Sequence, residues 1–190
     1  MNIESKKEDL LKLVAESCKI ALQIYKAGFK VLTKNDGTPV TEADKQISAF
    51  MIKELGKLTP DVPVISEETD DFHEYETRKD FENVWILDPI DGTKGFVNKT
   101  DDYVVCLGLS NNGSPVVGFI GHPATRTVYY TLKQGKVLKR VYDSNFLGFY
   151  EIGLFKNNVK KYPNNVVRIV GSSNLNEATE EFLKKYPKYT

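Results

Sequence analysis

The chain has 190 residues, 41% of them hydrophobic, which is material for one generous domain with a real core. Its 26 basic and 26 acidic residues cancel and form no long block of one sign, which argues against a nucleic-acid surface or a polybasic membrane contact. A charged N-terminus (Lys6, Lys7, Glu8, Asp9) and the lack of any apolar run of spanning length argue against secretion and membrane insertion.

Residues 5 to 28 are predicted to form a long helix, with Leu10, Val14, Ala21, Ile24 and Gly28 at helical spacing. A turn at Asn35-Asp36-Gly37 separates it from a second helix, Glu42 to about Leu55, stopped by Gly56 and burying Ile47, Phe50, Met51 and Leu55. Thr41 reads as its N-cap, with Asp44 as capping-box partner. A β-branched run (Val62, Val64, Ile65) ends in Ser66-Glu67-Glu68, and an acid-rich polar loop, Thr69 to Asp80, follows as a candidate lid.

Val84 to Leu87 reads as a buried strand running into Asp88-Pro89-Ile90-Asp91-Gly92-Thr93. Pro89 cannot donate to a ladder, so pairing is expected to stop there and the chain to turn. Tyr103 to Leu109 and Pro115 to Gly121 flank Asn111-Asn112-Gly113, and Thr127 to Leu132 and Lys136 to Val141 flank Gln134-Gly135: two hairpins. Residues 143 to 164 are hard to assign and end in a linker at Tyr162-Pro163-Asn164-Asn165. Val166 to Val170 reads as a buried strand, and Asn174 as the cap of a helix through Leu183. Cys18 and Cys106 lie in apolar segments without metal-ligand spacing and read as buried free thiols.

Carboxylates at strand ends suit a hard cation, and the Gly-Thr that follows suits a phosphate. Asp88 stands between Glu67 and Asp91, as a ligand bridging two metal ions would. Alone, Asp91-Gly92 is equally well a simple turn with solvated acids, and the bland alternative for Asp44 is a plain helix cap. Adjacent acids on an extended strand point to opposite sides, so Glu67 is favoured as a ligand and Glu68 as an outer or solvent-facing residue. Lys94 can reach a phosphate or lie on the surface. His73 and His122 have no ligand-spaced partner.

In this order, Asp36 to Asp44 (DGTPVTEAD), Ile65 to Glu68 (ISEE) and Trp85 to Phe96 (WILDPIDGTKGF) resemble the magnesium-dependent, lithium-sensitive phosphomonoesterases of the inositol monophosphatase superfamily. Lys94, the approach Leu58 to Val64 and Val170-Gly171-Ser172-Ser173 look most like its 3'(2'),5'-bisphosphate nucleotidase (CysQ-like) branch. The resemblance implies an α/β chain with the N-terminal domain of the inositol monophosphatase/sugar phosphatase fold, a layered αβαβα sandwich. It divides the chain into a metal- and phosphate-binding domain over residues 1–163 and the start of a second α/β domain over 164–190.

The resemblance also implies two or more Mg²⁺ sites held by Glu67, Asp88, the Ile90 carbonyl and Asp91. Asp44 and Thr93, with Glu67, would orient and deprotonate a metal-activated water. Glu67, Asp91, Gly92, Thr93 and Lys94 would contact a small phosphorylated substrate, adenosine 3',5'-bisphosphate, giving AMP and phosphate. Inositol phosphates or sugar phosphates are the alternative substrates, and a non-catalytic relative that binds metal or a partner is the alternative class.

Relatives continue into a Trp-Asp motif whose Asp completes the second metal site. Here Ile86 follows the single tryptophan, Trp85. The expectation is a fragment or a naturally short chain, with that site incomplete, low activity, and self-association through the edge of Val166 to Val170. The expected location is the cytoplasm, with peripheral attachment at the inner membrane as an alternative. Two positions depart from the nucleotidase branch: Gly95, where relatives often carry an acid, and Asn174, where they carry His.

Overall fold

The computed structural model describes residues 2–34, 37–69, 75–133 and 136–154. All lie in the first compact unit of the chain, Met1–Lys156. The linker at 162–165, the strand 166–170, the helix from Asn174, the second-domain assignment 164–190, His73, and the turn residues Asn35, Asp36, Gln134 and Gly135 fall outside the described residues.

A 3₁₀ turn (Glu4–Lys6) leads into α1 (Lys7–Ala27), which ends at Gly28 with φ 90°. Its inner face holds Leu10, Leu11, Val14, Cys18 and Ala21, all at 0% exposure. After α1 comes a hairpin that the sequence pattern does not announce: β1 (Val31–Thr33) pairs antiparallel with β2 (Pro39–Thr41) in a small sheet of its own.

α2 (Glu42–Leu58) begins at the predicted cap. The Thr41 side chain accepts from the Ala43 N–H, and Asp44 Oδ2 accepts from the Thr41 N–H at 2.7 Å and hydroxyl at 2.6 Å. Gly56 does not stop this helix. Leu58 still packs against the core, and the end comes at Thr59, whose N–H and hydroxyl both return to the Leu55 carbonyl before Pro60.

The main sheet has seven strands in the order β3-β4-β5-β6-β7-β8-β9. They are β3 (Val64–Ser66), β4 (Asn83–Asp91), β5 (Val104–Asn111), β6 (Ser114–His122), β7 (Thr127–Lys133), β8 (Lys136–Tyr142) and β9 (Phe149–Leu154). β3 and β4 are parallel, and every later neighbour pair is antiparallel. Between β3 and β4 lies a short helix, α3 (Tyr75–Arg78), in the described part of the acid-rich loop. β9 falls in the stretch the sequence left unassigned. The β5–β6 turn places Asn112 at φ 47° and Gly113 at φ 74°, the left-handed pair a tight hairpin needs.

α1 crosses the sheet where β6 presents Gly121. A Cβ there would stand 2.5 Å from Cys18 Sγ and 2.9 Å from Val14 Cγ1, so the close approach depends on the missing methyl. One strand in from the far edge, Arg140 of β8, 3% exposed, makes a bidentate pair with Glu8 of α1 at 2.8 and 3.1 Å, and Phe149 covers its guanidinium. The fold is therefore α/β, with a mixed sheet packed against helices. No described helix is long and apolar enough to cross a membrane.

Candidate active site

Because β3 and β4 run parallel, their C-terminal ends lie side by side. The Glu67 N–H donates to the Leu87 carbonyl at 3.1 Å, which sets Glu67 beside Asp88. Pairing does not stop at Pro89 as predicted. The β4–β5 register slips between Asp88 and Asp91, and Asp91 pairs again, with Val104. Pro89 thus occupies a bulge, where its missing N–H costs no ladder bond, and the bulge brings Asp91 back to the same end of the strand. The Ile90 N–H donates to Asp88 Oδ1 at 3.1 Å.

α4 (Thr93–Val97) follows Gly92, which sits at φ 91° with the Asp102 carbonyl 2.6 Å from where a Cβ would stand. Only glycine fits both demands. Phe96 anchors this helix in an aromatic cluster with Tyr25, Phe29 and Tyr103, ring centroids 4.6–5.2 Å apart. Lys99 caps the cluster over Tyr25, its ammonium bonded to the Tyr25 carbonyl. α4 also lies against β2, beside the Thr41–Asp44 box.

The electrostatics show how much charge is gathered here. Burial, then the Glu67 and Asp91 charges, push the Asp88 carboxyl up to about 7. Glu67 stands close enough to share a hydrogen bond with Asp88. Burial also raises Asp44, which is 2% exposed, against the opposing bonds from Thr41.

For two residues the structure adds partners from other elements. Glu68 does not face solvent: its side chain is 6% exposed, its acidity is weakened by burial, and Lys34 Nζ lies 2.5 Å from Oε1. β3 ends at Ser66, so the alternation of an extended strand no longer governs residues 67 and 68. Cys106, directly opposite Asp88 in the ladder, places Sγ 3.9 Å from Asp91 Oδ2. It is a free thiol, as is the buried Cys18, but it stands within the acid group. Its thiol is pushed up to about 12 by burial and then by Asp91 and Asp88.

Thr93 and Asp44 are not hydrogen-bonded to each other. The Thr93 hydroxyl donates to the Ile90 carbonyl at 3.1 Å, and Asp44 is held by Thr41. Lys94 is exposed. His122, at the end of β6, accepts the Thr125 N–H at 3.4 Å. Lys34 is the residue that motif reading overlooked, and its signal was its place in the turn that precedes the Thr41 cap. Its ammonium bridges Glu67 at 2.8 Å and Glu68 at 2.5 Å.

The donor set is carboxylate and carbonyl oxygen, which fits a hard divalent cation. The raised Asp88 points the same way, because a cation would relieve the crowding that lifts it. Among the described residues no three such side chains converge tightly enough to hold an ion as they stand.

The model of the inositol monophosphatase family matches residues 3–189. The chain belongs to the inositol monophosphatase family. Among its curated relatives, the 3'(2'),5'-bisphosphate nucleotidase CysQ of Haemophilus influenzae is 37% identical over 134 residues, covering 70% of this chain and 49% of that protein. The enzyme of the same name from Aggregatibacter actinomycetemcomitans is 31% identical over 185 residues, 96% of this chain and 65% of its own length. Within the family, the chain therefore sits in the CysQ-like branch. It spans 49% and 65% of the length of these two relatives.

Solved structures agree on the fold. CysQ from Bacteroides thetaiotaomicron superposes with a TM-score of 0.73 at 22% identity, covering 99% of this chain and 70% of that one. The Thermotoga maritima IMPase gives 0.68 at 19% identity, covering 98% and 66%.

Proposed function

We propose that this chain forms the metal- and phosphate-binding part of a magnesium-dependent phosphomonoesterase, with adenosine 3',5'-bisphosphate as substrate and AMP and phosphate as products. The observation that carries this reading is the crowding at Asp88, whose carboxyl Glu67 and Asp91 help lift to about 7 directly before Gly92 and Thr93. The nucleotidase relatives named above support the substrate.

Glu67, Asp88, Asp91 and the Ile90 carbonyl would hold the cation. Once bound, it would neutralise charge on the phosphoryl oxygens and acidify water at neutral pH. The chain's own residues do the rest. Thr93 steadies the Ile90 carbonyl through its hydroxyl. A bound phosphate near Gly92 and Thr93 gives that hydroxyl a second partner, and its turn toward Asp44 would aim a water and pass its proton to a buried, weakened acid. The Gly92 and Thr93 N–H groups and Lys94 would hold phosphate oxygens. We further assign the 1–163 and 164–190 division as a proposal that goes with this reading.

One observation favours a second substrate class. A Cβ at Gly95 would meet the Asp102 carbonyl at 2.3 Å, so the acid common in nucleotidase relatives has no room here. Inositol phosphates or sugar phosphates are therefore the competing substrates. Phosphate release with Mg²⁺ across adenosine 3',5'-bisphosphate, an inositol monophosphate and a sugar phosphate tests both. The bisphosphate is expected to be turned over fastest. Faster release from another substrate moves the assignment, and no release from any of them, with Asp88→Asn indistinguishable from the parent, rejects the catalytic reading.

A further inference from the structure

The acids at this corner of the sheet are met by a cation that belongs to the chain itself. Lys34 stands at the tip of the β1–β2 hairpin, where its N–H donates to the Thr38 carbonyl and its own carbonyl accepts the Gly37 N–H. From there the side chain reaches 33 residues along the sequence to Glu67 and one further to Glu68. It is 23% exposed, so the ammonium is sheltered while it bridges the two carboxylates. Burial works against the charge, but the hydrogen bonds to Glu67 and Glu68 more than offset that cost.

The hairpin has few other holds on the corner. β1 is exposed at all three residues and pairs with β2 alone, while β2 rests on α2 and α4. Two strands of three residues are marginal in water without such help. Lys34 is therefore a tether as well as a counter-ion. Lys34 holds Glu67 Oε1 at 2.8 Å, and a divalent cation drawing on the same carboxylate at about 2.0–2.1 Å would compete with the ammonium for its charge.

We propose that Lys34 is a resident counter-ion that competes with divalent metal for Glu67, so that metal binding transfers its ammonium wholly to Glu68 and loosens the β1–β2 hairpin. This rests on the metal-binding reading above and adds a regulated step to it: occupancy of the acids and order in the hairpin oppose one another. The hairpin thus reports metal occupancy to the Thr41–Asp44 end of α2, to which β2 is directly joined.

Calorimetry with Ca²⁺ and Mg²⁺ on the full chain tests it, using the parent, Lys34→Gln, Lys34→Arg and Asp88→Asn. Lys34→Gln is expected to bind about two- to fivefold tighter, the range a partly exposed ion pair controls. Lys34→Arg should bind no tighter than the parent, because it keeps the charge. Hydrogen exchange provides the second measurement. Amides of residues 31–33 and of Val40 and Thr41 should exchange faster when cation is added to the parent, and should already be fast in metal-free Lys34→Gln.

Parent and Asp88→Asn binding cation equally would reject the metal site itself. A parent that binds, an Asp88→Asn that does not, and a Lys34→Gln that binds equally or more weakly would overturn the competition while leaving the site intact. Hairpin exchange unchanged by cation in a parent that binds would overturn the coupling.

Discussion

Thr93 has one hydroxyl and, in this structure, spends it on the Ile90 carbonyl. If that hydroxyl orients the attacking water once phosphate is bound, Thr93→Ala should lower turnover by about 10²–10⁴-fold. Thr93→Ser should recover most of it, and cation affinity should be nearly unchanged in both. Single-turnover phosphate release measures the first effect and calorimetry the second; an Ala variant as fast as the parent would remove Thr93 from the mechanism. Gly95→Glu, which restores the acid of the branch, should instead displace the 98–102 loop and cost stability, because the Asp102 carbonyl fills the space. At this scale the sequence was most legible where residue type is dictated by chemistry: carboxylates after apolar strands, and glycine at a left-handed position. It was least legible for Glu68, Cys106 and Lys34, whose neighbours come from other elements.

The packing of elements carries its own tests. Gly121 lets α1 lie directly on β6, so Gly121→Ala must push Cys18 and Val14 aside and should cost about 1–3 kcal/mol in urea unfolding. Glu8 holds a guanidinium that is nearly fully buried, yet Glu8 itself is 60% exposed. Its loss should therefore cost less than the roughly 3–5 kcal/mol of a wholly buried pair and more than a typical surface bridge. Arg140 and Lys7 hold the Glu8 carboxyl below its usual range against burial, so this stabilisation is present at neutral pH and fades as pH falls through the acid range. Strands and hairpins were readable from alternation and turn chemistry. The β1–β2 hairpin was not, because its outer strand buries nothing, and the run of α2 past Gly56 depends on Leu58 finding the core.

For the molecule as a whole, the acid corner sets the response to pH. Asp88 holds its proton up to about 7, whereas the unfolded chain releases it near about 3.9. The metal-free protein therefore loses stability as pH rises from about 4 to about 7, and the loss levels off above that. Burial raises Asp44 and Glu68 in the same direction. A bound divalent cation favours the ionised acids and adds its own binding energy to the folded state, so it should reverse the loss. Urea midpoints at pH 5 and pH 8, with and without Mg²⁺, measure this; a midpoint that is no lower at pH 8 in the absence of metal would contradict it.

The lone parallel pairing among the described strands also has a consequence in time. From β4 to β9 each strand meets its predecessor, and the β5–β6 and β6–β7 turns span only a few residues, so those ladders can zip up locally. β3 must wait for residues 67 to 82 to be looped back before Val64–Ser66 can dock beside Trp85–Leu87. Closing the longer loop is the costlier step, and non-local pairing is the slower one. On refolding, the amides of β5 and β6 should gain protection first and those of β3 last. The acids of Glu67 and Asp88 would then come together only at the close of folding, so the emerging chain has no assembled acid corner until its scaffold is already standing.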